Sequence, residues 1–158
     1  MDYKEMFREL EVNSDAELVE KLYREFFHED TRLTSSKAAR VEFITNTRII
    51  EQYIKPGARI LDVGAEAGEY SLYFARKGYD VCALELTESN LKAFRQKLTA
   101  EDSIDLVQGN ALDLSRYEDS SFDAVLLFGP LYHLYEREDR KRCIAEAKSI
   151  PQYYISKG

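Results

Sequence analysis

The chain has 158 residues and a formal net charge of -7, with 44% hydrophobic and 32% charged residues. This length suits one domain with a substantial core, and the composition is that of an ordinary folded protein. The acidic charge argues against the nucleic-acid backbone as the main partner, because phosphate binding requires clustered Lys and Arg. No apolar run is long enough to span a membrane, so no membrane partner is expected.

Compartment and metal chemistry are also constrained by the sequence. The first residues lack the basic and apolar regions of a signal peptide, and Cys82 and Cys143 stand in no metal or redox spacing. We therefore expect a cytoplasmic protein whose two thiols are reduced and buried. With only two histidines in the chain, His28 and His133, we expect no metal site.

The spacing of apolar residues predicts helices that alternate with four to five strands. Helices over residues 14–28 and 35–55 precede the first strand, which predicts an N-terminal helical cap (residues 1–55) on a core (residues 56–158). In the core, strands are predicted at 60–63, 80–84, 104–107 and 123–128, helices at 70–77, 87–98 and 136–149, and at most a short fifth strand at 152–156. This alternation predicts an α/β fold with a doubly wound, Rossmann-like, mostly parallel sheet.

The second cap helix also has an apolar side. We expect its apolar side to consist of Val41, Ile44, Ile49 and Ile50, with the helix ending at the Lys-Pro-Gly sequence of residues 55–57. Packed on the core, this side would hold the cap over the ligand site.

The stretch from residue 59 to residue 70 is the main candidate for binding a ligand. A short apolar strand breaks at Gly64 and Gly68 and continues into a helix, which predicts free backbone N–H groups at the helix N-terminus. A dinucleotide fingerprint needs glycine where this chain has Glu66 and Glu69, and carboxylates there would repel a pyrophosphate. NAD and FAD are therefore disfavoured, and the lack of a following Gly-Lys-Ser/Thr excludes a P-loop.

Written as Asp62-x-Gly64-x-Glu66-x-Gly68, this turn resembles motif I of the class I S-adenosylmethionine-dependent methyltransferases. The resemblance covers roughly residues 38 to 150. It continues, in order along the chain, with Glu85 at the end of the second strand, residues 109–111 after the third and residues 128–134 after the fourth. The last of these segments, together with residues 40–44 of the cap, looks like the small-molecule branch of the family.

The resemblance implies a domain that binds S-adenosylmethionine, yields S-adenosylhomocysteine and methylates a small-molecule acceptor. Glu85 would accept both ribose hydroxyls, since a carboxylate can accept two hydrogen bonds from a vicinal diol. Asn110 would accept a hydrogen bond from the adenine amino group. The complete set of expected cofactor-binding residues is Asp62, Gly64, Ala65, Glu66, Gly68, Glu85, Leu86, Asn110, Ala111 and Phe128.

Two residues after the fourth strand are candidates for catalysis. His133 could act as a general base, although packing against the last helix is an equal alternative. Tyr132 is a second candidate, but packing is the more common role for such a residue.

The chain departs from the family pattern in two places. Glu66 replaces the family's central glycine, so a carboxylate enters the region of the cofactor's methionine part, where it suits the ammonium and sulfonium but repels the cofactor's carboxylate. After the last helix the chain runs directly into Pro151, without the turn and further strands usual in such enzymes. This truncation predicts an open edge at residues 123–128 or 152–156, and we expect a homodimer formed through that edge or by exchange of C-terminal segments.

These departures leave two functions open. The first is an active methyltransferase that acts on a small molecule. The second is a non-catalytic, truncated methyltransferase-like remnant that dimerises and only binds S-adenosylmethionine or S-adenosylhomocysteine, which Glu66 and the short C-terminus both favour. A Rossmann oxidoreductase is a distant further possibility.

Overall fold

The structure, a computed structural model, describes residues 15–25 and 36–156. The helices of these ranges are α1 (Asp15–Glu25), α2 (Lys37–Tyr53), α3 (Glu69–Arg76), α4 (Glu88–Lys97) and α5 (Arg137–Ser149), with a 3-10 helix at Pro130–Tyr132. The strands are β1 (Arg59–Val63), β2 (Asp80–Glu85), β3 (Ile104–Gln108), β4 (Phe122–Leu127) and β5 (Pro151–Ser156). The predicted order of helices and strands is confirmed.

The strands form one parallel sheet in the order β3-β2-β1-β4-β5. Leu61 in the middle of β1 stands opposite Cys82 of β2 and Val125 of β4. The chain builds outward from β1 to β3 and then continues on the other side of β1, so the strand order reverses between β1 and β4. In such sheets the ligand crevice lies beyond the carboxyl ends of the strands at this reversal.

The doubly wound sheet is confirmed, and it has five strands. β5 pairs with β4 through the register that sets Pro151 opposite Phe122. The two edges of this sheet are therefore β3 and β5. Of the two segments predicted for an edge, residues 152–156 therefore hold the edge position among the described strands.

Alternation along β1 and its neighbours divides the core into two faces. Leu61 and Val63 pack in one cluster with Cys143 and Ala147 of α5. Ile60 points to the opposite face and packs with residues of α2 and α3. Successive strand residues face opposite sides of a sheet, and a parallel sheet is covered on both, so each side needs its own apolar layer. Cys82 and Cys143 are free and buried, as predicted.

The predicted apolar side of α2 is wrong for three of its four residues. Ile50 is buried, but the exposed fractions are 63% for Val41, 45% for Ile44 and 45% for Ile49. The packed row instead runs through Phe43, Thr47, Ile50 and Ile54, whose spacing follows the helical repeat. Thr47 can be buried there because its hydroxyl donates to the Phe43 carbonyl at 2.9 Å.

Helix boundaries differ from the predictions by one or two residues where the structure describes them. α2 begins at Lys37, because Ser36 acts as its N-cap and accepts a hydrogen bond from the Ala39 amide at 3.1 Å. α1 falls inside the predicted helix of residues 14–28, whose two ends, including His28, lie outside the described residues. Within the described ranges, no helix has both the length and the apolar character needed to cross a membrane.

Candidate cofactor site

A cavity of about 180 Å³ opens at the carboxyl ends of β1 to β4, where the strand order reverses. Its walls come from the segments that follow these strands. They are Gly64 and Glu66 after β1; Glu85, Leu86 and Asn90 after β2; Gly109, Asn110, Ala111 and Leu112 after β3; and Gly129, Pro130, His133, Leu134 and Asp139 after β4. Ala16 and Val19 of α1 complete the lining.

Gly64 and Gly68 both have positive φ, but only Gly64 lines the cavity. A Cβ atom on Gly64 would lie 2.6 Å from the Pro130 ring, so the turn after β1 packs directly on the segment after β4. A Cβ atom on Gly68 would lie 2.4 Å from the Phe94 ring of α4. Gly68 therefore serves helix packing, while Gly64 shapes the cavity wall.

The expectation of free N–H groups in this turn is wrong for its first three residues. The amides of Gly64 and Ala65 donate to the Leu84 carbonyl at 2.8 and 3.0 Å. The amide of Glu66 donates to Glu85 Oε2 at 2.9 Å. The turn folds back onto the end of β2, where the amides of these three residues find their partners.

Glu66 has the left-handed conformation, with φ 52. This conformation is uncommon outside glycine, and here the bond from the Glu66 amide to Glu85 holds it. The Glu66 side chain lies against the backbone of Gly129, where Oε1 is 3.1 Å from the position that a Cβ atom on Gly129 would occupy. The carboxylate is therefore part of the cavity wall between the turns after β1 and β4.

Glu85 lines the cavity but is only 4% exposed. Its Oε1 accepts from the Thr87 amide at 2.9 Å, the Thr87 hydroxyl at 2.9 Å and the Asn90 amide group at 3.1 Å. Its Oε2 accepts from the Glu66 amide. Since a carboxylate oxygen has two lone pairs, Oε2 is the atom with an acceptor position to offer a ligand. Burial raises the pKa of Glu85, and these donors oppose the rise.

Asp62 lies beneath the turn and does not line the cavity. It is 3% exposed, and Oδ2 accepts a hydrogen bond from the Ser71 hydroxyl at 2.6 Å. Burial raises the pKa of Asp62 to about 7, and the negative charges of Glu66 and Glu85 add to the rise while Ser71 opposes it. Through its hydrogen bond with Ser71, Asp62 joins the end of β1 to α3.

The segment after β3 forms the wall where adenine is expected. Asn110 and Ala111 line the cavity together with Gly109. A Cβ atom added to Gly109 would lie 2.6 Å from a methyl group of Leu84. Asn110 Oδ1 already accepts a hydrogen bond from the Leu112 amide at 2.9 Å. One lone pair of this oxygen is left for a ligand donor.

After β4, the two candidate catalytic residues lie in different environments. His133 lines the cavity, and burial lowers its pKa, so the imidazole is neutral at pH 7. Tyr132 is 64% exposed and is not part of the lining. Phe128 is also outside the lining and packs on Tyr70 with ring centroids 4.9 Å apart. Catalytic roles for His133 and Tyr132 stay predictions.

The structure thus brings seven of the twelve predicted site residues to the cavity. These are Gly64, Glu66, Glu85, Leu86, Asn110, Ala111 and His133, while Asp62, Ala65, Gly68, Phe128 and Tyr132 lie outside its lining. Sequence reasoning missed Asn90 and Asp139. Asn90 could have been found from its place one turn after the Thr87 cap, which directs it back toward the end of β2, whereas Asp139 lies in a helix whose alternating charges resemble a solvated surface. Among residues 15–25 and 36–156, no cluster of three or more His, Cys, Asp or Glu could hold a metal ion.

A parallel sheet with a cavity at its strand reversal and an acidic side chain closing β2 defines a Rossmann-like, cofactor-binding class of domain. The chain belongs to the family described as Methyltransferase domain, whose model matches residues 61–151. The family predicted from the motif is therefore confirmed.

The chain is also similar to a curated enzyme and to solved structures. It is 36% identical to the demethylmenaquinone methyltransferase of Renibacterium salmoninarum over 91 residues, which are 58% of this chain and 35% of that protein. The chain spans about a third or less of the curated relatives it matches.

Among solved structures, protein PH0226 from Pyrococcus horikoshii aligns with a TM-score of 0.72 and 22% identity, covering 86% of this chain and 64% of that one. Magnesium protoporphyrin IX methyltransferase from Synechocystis, solved with bound S-adenosylmethionine, aligns with a TM-score of 0.72 and 16% identity over 93% of this chain and 77% of that one. At these identities the likeness establishes the fold.

Proposed function

We propose that the chain binds S-adenosylmethionine in the cavity and that the protein transfers its methyl group to a small-molecule acceptor, leaving S-adenosylhomocysteine. The observation that carries this proposal is the coincidence of the motif residues with one cavity: Gly64, Glu85 and Asn110 come from the ends of three strands and meet there. Membership of the Methyltransferase domain family supports it. The Synechocystis neighbour, whose structure contains S-adenosylmethionine, has the same fold.

The acceptor atoms on the cavity wall suit the polar groups of this cofactor. Glu85 Oε2 retains a position for a ribose hydroxyl, and Asn110 Oδ1 retains one for the adenine amino group. Bound S-adenosylmethionine supplies an already activated methyl group. The chain would then contribute alignment and exclusion of water, to which Val19 of α1 adds as an apolar residue of the lining.

His133 is the candidate base for acceptors that lose a proton during attack. Its neutral imidazole has a nitrogen that can accept this proton, and it lies on the cavity wall. An acceptor whose nucleophilic atom is already deprotonated would not need it. A loss of turnover in His133→Gln with such an acceptor would therefore contradict a role as base.

A second candidate function is binding of the cofactor without methyl transfer. Two observations favour it: the Glu66 carboxylate lies in the cavity wall, and the amides of the turn are already bound to Leu84 and Glu85. In this case the protein would bind S-adenosylmethionine or its product and turn over no acceptor.

Calorimetric titration with S-adenosylmethionine tests the proposal directly. Ala111→Phe fills the cavity beside the predicted adenine position, and Ala100→Phe is the control, because Ala100 lies in an exposed turn outside the lining. We expect the wild type and Ala100→Phe to bind alike, and Ala111→Phe to lose at least about tenfold in affinity. Absence of binding to the wild type at millimolar cofactor would refute the proposal. If the wild type binds the cofactor, assays with a panel of acceptors separate the two functions. A methyltransferase would produce S-adenosylhomocysteine with at least one acceptor, and a protein that only binds the cofactor would not.

We further propose a cytoplasmic homodimer in which β5 pairs with a second copy. β5 is an edge strand of the described sheet, and edge strands present a row of backbone donors and acceptors. The division into a cap (residues 1–55) and a core (residues 56–158) stays part of this proposal. Sedimentation at micromolar concentration that shows a monomer only would count against the dimer.

A further inference from the structure

Among the described residues of the cavity wall, the ionised side chains carry negative charge only. Glu66, Glu85 and Asp139 line it, and none of the described lining residues is Lys or Arg. Asp62 adds a further carboxyl group beneath the turn. A ligand that enters this cavity therefore gains electrostatic energy in proportion to the positive charge that it brings.

Of these carboxylates, Glu66 is held at both its backbone and its side chain by residues that line the cavity. Its backbone has φ 52 and is bound through its amide to Glu85, and its Oε1 lies against Gly129 on the opposite wall. The carboxylate is thus held between two segments that both line the cavity. Oε1 of Glu85 accepts three hydrogen bonds, from the amide and hydroxyl of Thr87 and from Asn90.

The substrate and product of the proposed reaction differ in charge. S-adenosylmethionine carries a sulfonium, an ammonium and a carboxylate, whereas S-adenosylhomocysteine carries the same groups with a neutral thioether in place of the sulfonium. Loss of the methyl group therefore removes one positive charge and leaves the adenosine and amino-acid parts unchanged.

We propose that Glu66 is a specificity-determining residue that makes the cavity select the cationic sulfonium form over its neutral thioether product. This inference rests on the proposed function, because it assumes that both molecules occupy the cavity. At the separations within a cavity of this size, one carboxylate in a partly solvated wall changes the affinity for a unit charge by roughly tenfold. In a catalytic cycle, methyl transfer would therefore lower the affinity of the cavity for the bound cofactor and favour release of the product.

Paired calorimetric titrations with S-adenosylmethionine and S-adenosylhomocysteine test the inference. The variant is Glu66→Gln, which keeps the shape of the side chain and removes its charge. The matched control is Glu69→Gln in the same segment, because the Glu69 carboxylate binds Lys97 at 2.6 Å and does not line the cavity. We expect the ratio of the two dissociation constants to shift by roughly tenfold toward the product in Glu66→Gln and to stay unchanged in Glu69→Gln.

The outcomes separate the two proposals. If wild-type protein binds neither molecule, the proposed function is overturned. If it binds both and Glu66→Gln leaves their ratio unchanged, the proposed function stands and this inference is overturned. Should Glu66→Gln fail to fold, Glu66→Asn provides the same test, because Asn tolerates the left-handed conformation. An equal loss of affinity for both molecules would also contradict the inference, since a steric effect does not distinguish their charges.

Discussion

Asp62 gives a quantitative prediction, because its carboxyl group is buried and has no cation among the partners that set its pKa. Burial and the nearby carboxylates raise that pKa from 3.8 to about 7. The folded protein therefore binds one more proton than the unfolded chain between about pH 4 and pH 7, so the contribution of Asp62 to stability is present at low pH and is lost as the pH rises. At about 1.4 kcal/mol for each pKa unit, the loss amounts to about 4 kcal/mol.

The substitution Asp62→Asn removes this titration and keeps a side chain that can still hydrogen-bond to the Ser71 hydroxyl. We expect Asp62→Asn to gain stability relative to the wild type as the pH rises from 4.5 to 8, by about 3 kcal/mol, since part of the loss already occurs below pH 4.5. Urea denaturation at a series of pH values measures it, and the difference between the two proteins cancels the titration of other groups. Asp119→Asn is the control, because Asp119 is exposed.

Parallel curves for the wild type and Asp62→Asn over this range would refute the reasoning. They would mean that Asp62 is ionised throughout, and hence that water or an unrecognised cation reaches it. A difference that grows in the opposite direction, with the wild type gaining stability at high pH, would show that the carboxylate is stabilised in the fold rather than penalised by burial.

Three further predictions concern stability and use the same denaturation assay. Gly68→Ala places a methyl group 2.4 Å from the Phe94 ring at φ 86, and we expect a loss of about 2–4 kcal/mol; a neutral result would show that the turn can shift. Thr87→Val removes the side-chain cap of α4 and a donor to the carboxylate that ends β2, and should cost about 1–2 kcal/mol. Ile50→Ala should lower the free energy of unfolding by about 2–5 kcal/mol and Ile49→Ala by less than about 0.5 kcal/mol. Similar losses for both would indicate that Ile49 is also packed, as the sequence predicted for α2.

Much of the sheet could be predicted from the sequence, because strands that are buried on both faces appear as continuous apolar runs. Apolar runs such as residues 123–128 are typical of central parallel strands, and the connecting helices end at glycines or begin at caps such as Thr87. The ligand edge followed from the glycine turn after β1. The chain order of these signals predicts right-handed crossovers between parallel strands, but not the strand order, in which the chain returns to the other side of β1.

The parts that sequence reasoning missed depend on contacts between distant segments. α2 has apolar residues around much of its circumference, and only its packing against the sheet and α3 decides that Ile50 is buried while Ile49 is exposed. The sequence predicts free donors in the turn after β1 because their partners, the Leu84 carbonyl and the Glu85 carboxylate, belong to another strand. Asp139 lies in the first turn of α5 and lines the cavity, which no local pattern indicates.

The contact between Gly64 and the Pro130 ring has a consequence for exchanging parts between relatives. The space that a side chain at position 64 would need is filled by position 130, although 65 intervening residues separate the two along the chain. If this turn were replaced by that of a relative with a larger residue at position 64, a smaller residue would therefore be required at position 130. The two loops must therefore be exchanged together. A chimera that takes them from different relatives risks a steric clash between positions 64 and 130.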